Sequence, residues 1–185
     1  MRRLFVFNFV TLDGYFEGPN RDISWHNVDD EFNEYAVDML NSVDTLLFGR
    51  VTYELMANYW PTPDAMKNDP IVAERMNNLA KVVFSRTLNK VEWHNTRLLK
   101  GDIGEEIKKM KQQPGKNMAL LGSGSIMSEF AQRGLIDEYR IMVNPVVLGN
   151  GKPLFKGMHD RLNLQLLKTK TFKSGNVLLY YEQKK

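Results

Sequence analysis

Three apolar runs that each break into a turn constrain the fold of this chain most. They are Thr45–Thr52, Val82–Thr87 and Ala119–Ser125. Each run is typical of a buried strand, and each ends in small or hydroxylated residues beside a glycine or an arginine. Free N–H groups at a helix start, with a guanidinium in reach, are how α/β proteins bind anions. Three such turns therefore predict a ligand with several phosphates along one edge of a sheet.

Length, charge and residue usage exclude several classes of protein. The chain has 185 residues, and we interpret residues 1–185 as one domain. A net charge of +3 is too small to indicate nucleic-acid binding. The absence of cysteine and the scattered histidines argue against a thiol nucleophile or a bound metal. We find no membrane-spanning segment and no signal-peptide cleavage site, and we expect a cytoplasmic protein.

Predicted strands and helices alternate along most of the chain. Apolar runs predict strands at Leu4–Leu12, Thr45–Phe48, Lys81–Phe84, Met118–Leu121 and Glu138–Val143. Helical spacing predicts helices within 32–43, 53–60, 70–79, 103–110 and 126–131. Asp13–Asn27 predicts a long loop, and Val177–Tyr181 follows a Ser-Gly turn as in an antiparallel hairpin. The predicted fold class is α/β: a single domain with a mostly parallel central sheet, helices on both faces and an antiparallel C-terminal hairpin.

The turn Gly122-Ser123-Gly124-Ser125 follows a predicted strand and precedes a predicted helix. Its glycines allow a pyrophosphate to approach the backbone closely, and we expect Ser125 to cap the helix. The sequence matches neither the dinucleotide fingerprint, whose third glycine position holds Met127, nor a P-loop. An ordinary strand-to-helix turn, which also favours glycine, is the alternative interpretation.

The other two turns carry arginines. In Gly49-Arg50-Val51-Thr52, the hydroxyl and free N–H groups of a first helical turn can share a phosphate with the Arg50 guanidinium. A helix cap beside a solvated arginine is the alternative. Ser85-Arg86-Thr87 offers two hydroxyls and a guanidinium to a single phosphate, or forms an ordinary polar loop. All three turns follow presumed parallel strands, at the edge where open α/β sheets bind ligands.

Two carboxylates are candidates on the substrate side. Asp13 lies at the mouth of the first strand and is our candidate catalytic acid, with an Asx turn to Gly14 as the alternative. Around the axis of the first helix, Asp29 falls nearer to the apolar stripe than the other carboxylates do, which makes it a substrate candidate. The alternative is that Asp29 belongs to the helix cap.

Aromatic side chains are the other substrate candidates. Tyr53 and Trp60, with Trp25, have the shape to wall a flat heterocycle, and packing in the core is the alternative. His26 lies in the long first loop, where we expect a surface histidine rather than a substrate contact.

In this order and spacing, the motifs resemble the dihydrofolate reductase-like superfamily, and most closely the reductase domain at the C-terminal end of bifunctional riboflavin-biosynthesis proteins. The resemblance spans nearly the whole chain. The segments that carry it are Thr11–Gly14, Asp44–Thr52, Val83–Arg86, Leu120–Ser125, Gly134–Glu138 and Asn144–Gly151. It implies a homodimeric reductase that uses NADPH. The sequence has no zinc-type His/Cys signature, so we expect no deaminase activity.

The resemblance also implies roles for individual residues. The nicotinamide and the substrate would be bordered by Thr11, Asp13 and Gly14, and the 2′-phosphate would be bound by Ser85 and Arg86. A phosphate would be held by Gly49, Arg50 and Thr52, and the pyrophosphate would be cradled by Gly122, Ser123, Gly124 and Ser125. The nearest analogue for the substrate is 5-amino-6-(5-phosphoribosylamino)uracil. Dihydrofolate reductase is an alternative, weakened because no carboxylate of the first helix convincingly faces the pocket. A non-catalytic dinucleotide-binding module is a third hypothesis.

Overall fold

The structure is a computed structural model, and it describes residues 1–184. The strands are β1 (Leu4–Thr11), β2 (Tyr15–Glu17), β3 (Val43–Gly49), β4 (Ala80–Phe84), β5 (Thr96–Leu99), β6 (Asn117–Leu121), β7 (Glu138–Asn144), β8 (Lys152–Pro153), β9 (Leu164–Thr171) and β10 (Val177–Gln183). The helices are α1 (Asp30–Asn41), α2 (Arg50–Tyr59), α3 (Pro63–Asn68), α4 (Pro70–Asn78), α5 (Ile103–Gln112) and α6 (Gly124–Gln132), with a short 3-10 turn at Pro19–Arg21.

An eight-stranded sheet forms the centre of the fold, in the order β5-β4-β3-β6-β1-β7-β10-β9. The strands from β5 to β7 pair in parallel, whereas β10 is antiparallel to both β7 and β9. The predicted fold class, with its mostly parallel sheet and antiparallel C-terminal hairpin, is confirmed. Because every parallel strand points the same way, their carboxyl ends meet at one edge.

Alternation along β1 explains the two layers of helices. Phe5 and Phe7 point into one apolar cluster, which also contains buried residues of α1, α2 and α4. Leu4 and Val6 point to the opposite face, into a cluster with residues of α5 and α6. A strand buried on both faces carries a nearly continuous apolar run, as this one does. Helices therefore cover both faces of the sheet.

Two helices are capped by carboxylates that lie close to them in the sequence, as local sequence patterns indicate. Asp29 is the N-cap of α1 and accepts the N–H of Phe32, while Asp30 and Glu31 occupy its first turn. Asp102 caps α5 in the same way by accepting the N–H of Glu105.

The segment 13–27 differs from the expected long loop. Its first part forms β2, which pairs with β8 through Tyr15 opposite Pro153 and Glu17 opposite Lys152. The partner strand is more than 130 residues away, so no local pattern indicates the pairing. No helix within residues 1–184 has the length and apolarity that crossing a membrane requires.

Candidate functional site

The three predicted turns lie at one edge of the sheet. They follow β4, β3 and β6, which are consecutive neighbours, and β1 lies next to β6. The register places Gly49 beside Phe84, and the Gly122 N–H donates to the carbonyl of Phe7 in β1. Arg50, Arg86 and the Gly122–Ser125 turn are therefore not on separate surfaces of the molecule.

Two of these turns are bonded to each other through side-chain hydroxyls. The Ser123 hydroxyl accepts the Gly49 N–H at 2.6 Å and donates to the Thr52 hydroxyl at 3.0 Å. The Ser123 N–H also donates to the Thr52 hydroxyl, at 3.0 Å. Thr52 and Ser123 are buried. The Thr52 hydroxyl thus accepts two bonds, and within residues 1–184 its own proton has no acceptor.

Glycine is required where these turns meet. A Cβ on Gly49 would lie 2.7 Å from the Ser123 hydroxyl oxygen, and one on Gly122 would lie 2.9 Å from Cγ2 of Thr52. Gly122 also has φ of +63°, in the left-handed region that glycine tolerates best. The close approach of the two turns thus explains why Gly49 and Gly122 are glycines.

The helices that begin at this edge have free N–H groups. Neither α2, whose N-cap is Gly49, nor α6, whose N-cap is Ser123, receives a side-chain cap. The starts of α1, α3 and α5 are capped by side chains, whereas that of α4 is not. The first N–H groups of a helix have no partner within it and carry its positive dipole end. Two uncapped starts on adjacent strands make a suitable site for a pyrophosphate.

The prediction that Ser125 caps α6 is wrong. The helix begins one residue earlier, at Gly124, and Ser125 is exposed in its first turn. Ser123 holds the N-cap position with φ of +57°, but its hydroxyl reaches Gly49 instead of the helix N–H groups. That cross-strand contact replaces the local cap.

The two arginines differ in their surroundings. Arg50 pairs with Glu54 at 3.0 Å, and both side chains are about two-fifths exposed, so the pair is weak and a ligand can displace it. Arg86 is exposed and makes no ion pair with any described residue. Beside it, the Ser85 hydroxyl accepts the N–H groups of Thr87 and Leu88.

Lys100 is a cation of this edge that sequence analysis missed. It directly follows β5, and β5 pairs with β4 so that Leu99 lies opposite Phe84. The Ser85 N–H donates to the Leu99 carbonyl at 3.1 Å. The signal was present as the short run Thr96–Leu99 followed by a lysine, but four residues do not identify a strand without its partner.

Asp13 does not have the environment of a proton donor. Its carboxylate accepts the N–H groups of Leu148 at 3.2 Å and Gly149 at 2.7 Å. Hydrogen bonding from the Thr11 hydroxyl, and then from these amides, lowers the Asp13 pKa below its usual value. These contacts favour an ionised Asp13 that fixes the loop after β7, and its role as a catalytic acid stays a prediction of the sequence. The alternative interpretation, an Asx turn to Gly14, differs from the structure too, because the carboxylate bonds to Leu148 and Gly149 instead.

Two substrate candidates prove to be structural. The Asp29 carboxylate is occupied as the cap of α1. Tyr53 is 5% exposed, and its hydroxyl accepts the N–H groups of Glu92 and Trp93 at 3.1 and 3.2 Å, so it lies in the core instead of lining a pocket. Helical phase could not separate these roles, because both depend on the exact start of a helix or on a distant loop.

Trp60 is half-buried at the end of α2, with its indole N–H directed to the Met56 sulfur at 3.1 Å. Its role in binding the substrate stays a prediction.

His26 is not the surface residue that we expected. Its ring stacks on Phe9 with centroids 4.3 Å apart, and burial lowers its pKa to about 4.

Two surface clefts, of about 390 and 450 Å³, lie away from this edge. The first is lined by Arg2, Lys81 and Trp93 among others, and the second by Leu40, Arg75 and Lys116 among others. Lys81 is buried in the first, where it donates to three carbonyls near the end of α4. Neither cleft contains a predicted site residue. Among residues 1–184, no group of three His, Cys, Asp or Glu side chains is arranged to hold a metal.

Comparison with known proteins decides the family. A family model described as the RibD C-terminal domain matches residues 2–178. The chain belongs to the RibD C-terminal domain family. It is 37% identical over 180 residues to the uncharacterized protein YyaP of Bacillus subtilis, an alignment that covers 97% of this chain and 94% of YyaP.

Solved structures share the fold at low sequence identity. A protein from Shewanella sp. PV-4 that is described as a 'Putative riboflavin biosynthesis protein' superposes with a TM-score of 0.76 at 24% identity, covering 99% of each chain. A deaminase and 5-amino-6-(5-phosphoribosylamino)uracil reductase from Thermotoga maritima gives 0.73 at 15%, covering 99% of this chain and 57% of that one. Dihydrofolate reductase from Enterococcus faecalis gives 0.63 at 14%, covering 99% and 97%. The fold is therefore dihydrofolate reductase-like, as the sequence predicted.

Proposed function

We propose that the protein is an NADPH-dependent reductase that transfers a hydride to a small heterocyclic substrate. The observation that carries the proposal is the hydroxyl contact between Thr52 and Ser123, which holds two uncapped helix starts together at the edge where such sheets bind ligands. A pyrophosphate there would meet N–H groups of both helices and the unused proton of the Thr52 hydroxyl.

The cofactor's 2′-phosphate would bind one strand further along the same edge. Ser85 and Arg86 are the residues that we assign to it, and Lys100 adds a second cation from the neighbouring strand. Paired cations around a dianionic phosphate give charge-assisted hydrogen bonds, which are stronger than neutral ones. This arrangement would favour NADPH over NADH.

Thr11 and Gly14 would border the nicotinamide and the substrate. A bound dihydronicotinamide supplies a hydride to an electron-poor carbon, and the protein's task is to hold the two reactants in contact and exclude water. Asp13 contributes by anchoring the loop of Leu148 and Gly149 at the mouth of β1. Because these contacts favour an ionised Asp13, we assign the proton that accompanies the hydride to solvent.

The family supports this proposal through the uracil reductase named above, and the E. faecalis dihydrofolate reductase was solved with NADP(H). Dihydrofolate itself is a weaker candidate substrate. In α1, Asp29 is the cap, and the Glu31 carboxylate accepts the Lys173 N–H at 2.9 Å, so neither is free to protonate a pterin.

The proposal includes a homodimer that acts in the cytoplasm. The strand β9 is at the edge of the sheet, and its side chains from Gln165 to Thr171 are exposed. Leu166 and Leu167 are adjacent in this edge strand and are 50% and 43% exposed, among mainly Lys and Thr neighbours. We expect the second copy to cover this strand.

Titration of the purified full chain with NADPH and with NADH tests the proposal, using quenching of tryptophan fluorescence to measure both affinities. We expect NADPH to bind more tightly, and NADPH oxidation to proceed with a uracil or pterin substrate. Steady turnover of dihydrofolate would identify a dihydrofolate reductase. Tight binding without oxidation across such a panel would identify a non-catalytic module, and binding of neither dinucleotide would contradict the proposal.

A further inference from the structure

Aromatic rings that the cofactor proposal does not use stand together near the end of β1. The His26 ring lies over Phe9, with centroids 4.3 Å apart and planes 19° from parallel. Trp25 meets His26 edge-on at 4.5 Å, and Phe32 of α1 packs against Phe9 at 5.1 Å. Phe9, Trp25 and His26 are each only half-buried. We call these three rings the aromatic platform.

Hydrogen bonds from Asn27 hold this platform in place. Its N–H donates to the Asn144 side chain at 2.9 Å, and its side-chain amide donates to the Ser174 carbonyl at 3.0 Å. Its own carbonyl accepts the side-chain amide of Asn176 at 2.8 Å. Asn144 and Asn176 are fully buried. The loop that carries Trp25 and His26 is therefore tied to β7 and to the β9–β10 turn, so the platform is formed before any ligand arrives.

Apart from Arg21 of the exposed turn Pro19–Arg21, the ionisable groups considered around the platform are already engaged or neutral. Asp13 is bonded to loop amides and Asp29 to the start of α1. Lys152 lies 3.6 Å from the Glu17 carboxylate. Burial keeps His26 neutral by lowering its pKa to about 4, and within residues 1–184 its buried Nε2 has no hydrogen-bond partner. An anionic group placed among these groups would lose hydration without gaining a cation from them, so Arg21 is the residue against which the absence of phosphate recognition is tested.

We propose that the platform of Phe9, Trp25 and His26 binds the substrate as a flat, uncharged ring by stacking, and that it recognises no phosphate group. The inference rests on the proposed function, because it takes the platform, two residues along β1 from Thr11, to adjoin the nicotinamide. Aromatic faces select planar rings through dispersion and offset stacking, without an ion pair. The substrate class is thus an unphosphorylated heterocycle, in contrast to the phosphoribosyl substrate in the name of the T. maritima reductase.

Riboflavin and its 5′-phosphate, FMN, are a matched pair of probes that differ only in the phosphate. We would measure both dissociation constants by flavin fluorescence, with the full chain saturated with NADP⁺. We expect riboflavin to bind at least as tightly as FMN. Replacing His26 by alanine should weaken riboflavin binding about five- to tenfold, whereas His26→Phe, which keeps a stacking ring, should stay within about threefold of wild type. His94→Ala, at an exposed histidine, is the control.

Several results would overturn the inference. FMN binding ten times more tightly than riboflavin would show phosphate recognition, and loss of that preference in Arg21→Ala would place it on the exposed turn Pro19–Arg21. Unchanged affinity in His26→Ala, or no riboflavin binding at all, would show that the platform is not the binding surface. NADPH titration of the same samples separates the two proposals. Normal NADPH binding leaves the reductase proposal standing when the platform fails, and absent NADPH binding contradicts the reductase proposal itself.

Discussion

The hydroxyl of Ser123 lies 3.0 Å from the hydroxyl of Thr52, and this contact joins the start of α6 to the start of α2. The two residues are 71 positions apart in the chain. Their contact fixes the spacing of two helix N-termini without a ligand, so the phosphate site that we propose would already be organised in the folded protein.

Replacing Thr52 by valine keeps the shape of the side chain but removes its hydroxyl. The buried N–H and hydroxyl of Ser123 then lose their acceptor. We expect the free energy of unfolding to fall by about 1–3 kcal/mol and NADPH affinity to fall with it. Urea denaturation and NADPH titration measure the two effects. Thr52→Ser retains the hydroxyl, so its stability and NADPH affinity should be close to those of the wild type. Equal stability of the valine and serine variants would argue against the hydrogen bond between Thr52 and Ser123.

Alanine at position 122 tests the close approach of the two turns. The new Cβ would lie 2.9 Å from Thr52 Cγ2, in a backbone with φ of +63°. We expect a loss of stability of roughly 1–3 kcal/mol. Gly101→Ala is the matched control, because a Cβ there meets nothing within 4 Å. Its stability should change by less than about 0.5 kcal/mol. A Gly122→Ala protein as stable as this control would contradict the geometry.

Arg86 to glutamine tests the assignment of the 2′-phosphate. Loss of a charge-assisted contact of about 1.5–3 kcal/mol should weaken NADPH binding by roughly 10- to 150-fold and leave NADH binding unchanged. Lys100→Gln should act in the same direction with a smaller effect. Arg161→Gln, at an exposed arginine in the segment between β8 and β9, is the control. An equal loss for both dinucleotides would mean that Arg86 does not read the 2′-phosphate.

The buried neutral His26 predicts a dependence of stability on pH. Its pKa is about 4 in the folded protein and 6.5 for an ordinary histidine, so between these values the unfolded chain binds more protons. The stability that neutral His26 contributes is therefore fully present above pH 6.5. As the pH falls toward 4, protonation of this residue lowers the free energy of unfolding by roughly 2–3 kcal/mol. Denaturation at pH 7.5 and at pH 4.5 measures it.

A histidine-specific control completes that experiment. His26→Gln should reduce the loss of stability on acidification, whereas His94→Gln should not, because His94 is exposed. The same acid loss in wild type and in His26→Gln would assign the pH dependence to other groups.

Light scattering tests the proposed association through β9. We expect a solution mass of twice the 21.4 kDa chain. Introducing a glutamate at Leu167, which is 43% exposed on the edge strand, should shift the protein toward the monomer. Ile71→Glu changes an exposed apolar residue of α4, 55% exposed, and should leave the mass unchanged. A wild-type monomer would contradict the proposed dimer, and a dimer that persists in Leu167→Glu would place the interface elsewhere.

The sequence predicted those parts of the fold that depend on local periodicity. The apolar run of β1 and the helical spacing of Phe32, Ala36 and Met39 identify their elements directly. The common edge could be predicted too, because alternating strands and helices make parallel strands whose carboxyl ends meet.

Contacts between distant segments could not be predicted. The Asp13 carboxylate bonds to Gly149, 136 residues away, and Tyr53 bonds to a loop 40 residues later. Neither pairing leaves a signal in the spacing of nearby residues. For the same reason, the sequence predicted a loop where β2 forms and a surface position for His26. Each is held in place by a partner on another element.

A crystal structure of the protein with NADP⁺ would show where the dinucleotide binds. We expect the pyrophosphate within hydrogen-bond distance of the Thr52 hydroxyl and of N–H groups at the starts of α2 and α6, with the 2′-phosphate against Arg86. A dinucleotide bound elsewhere, such as in the cleft lined by Lys81 and Trp93 at the opposite edge, would contradict this expectation.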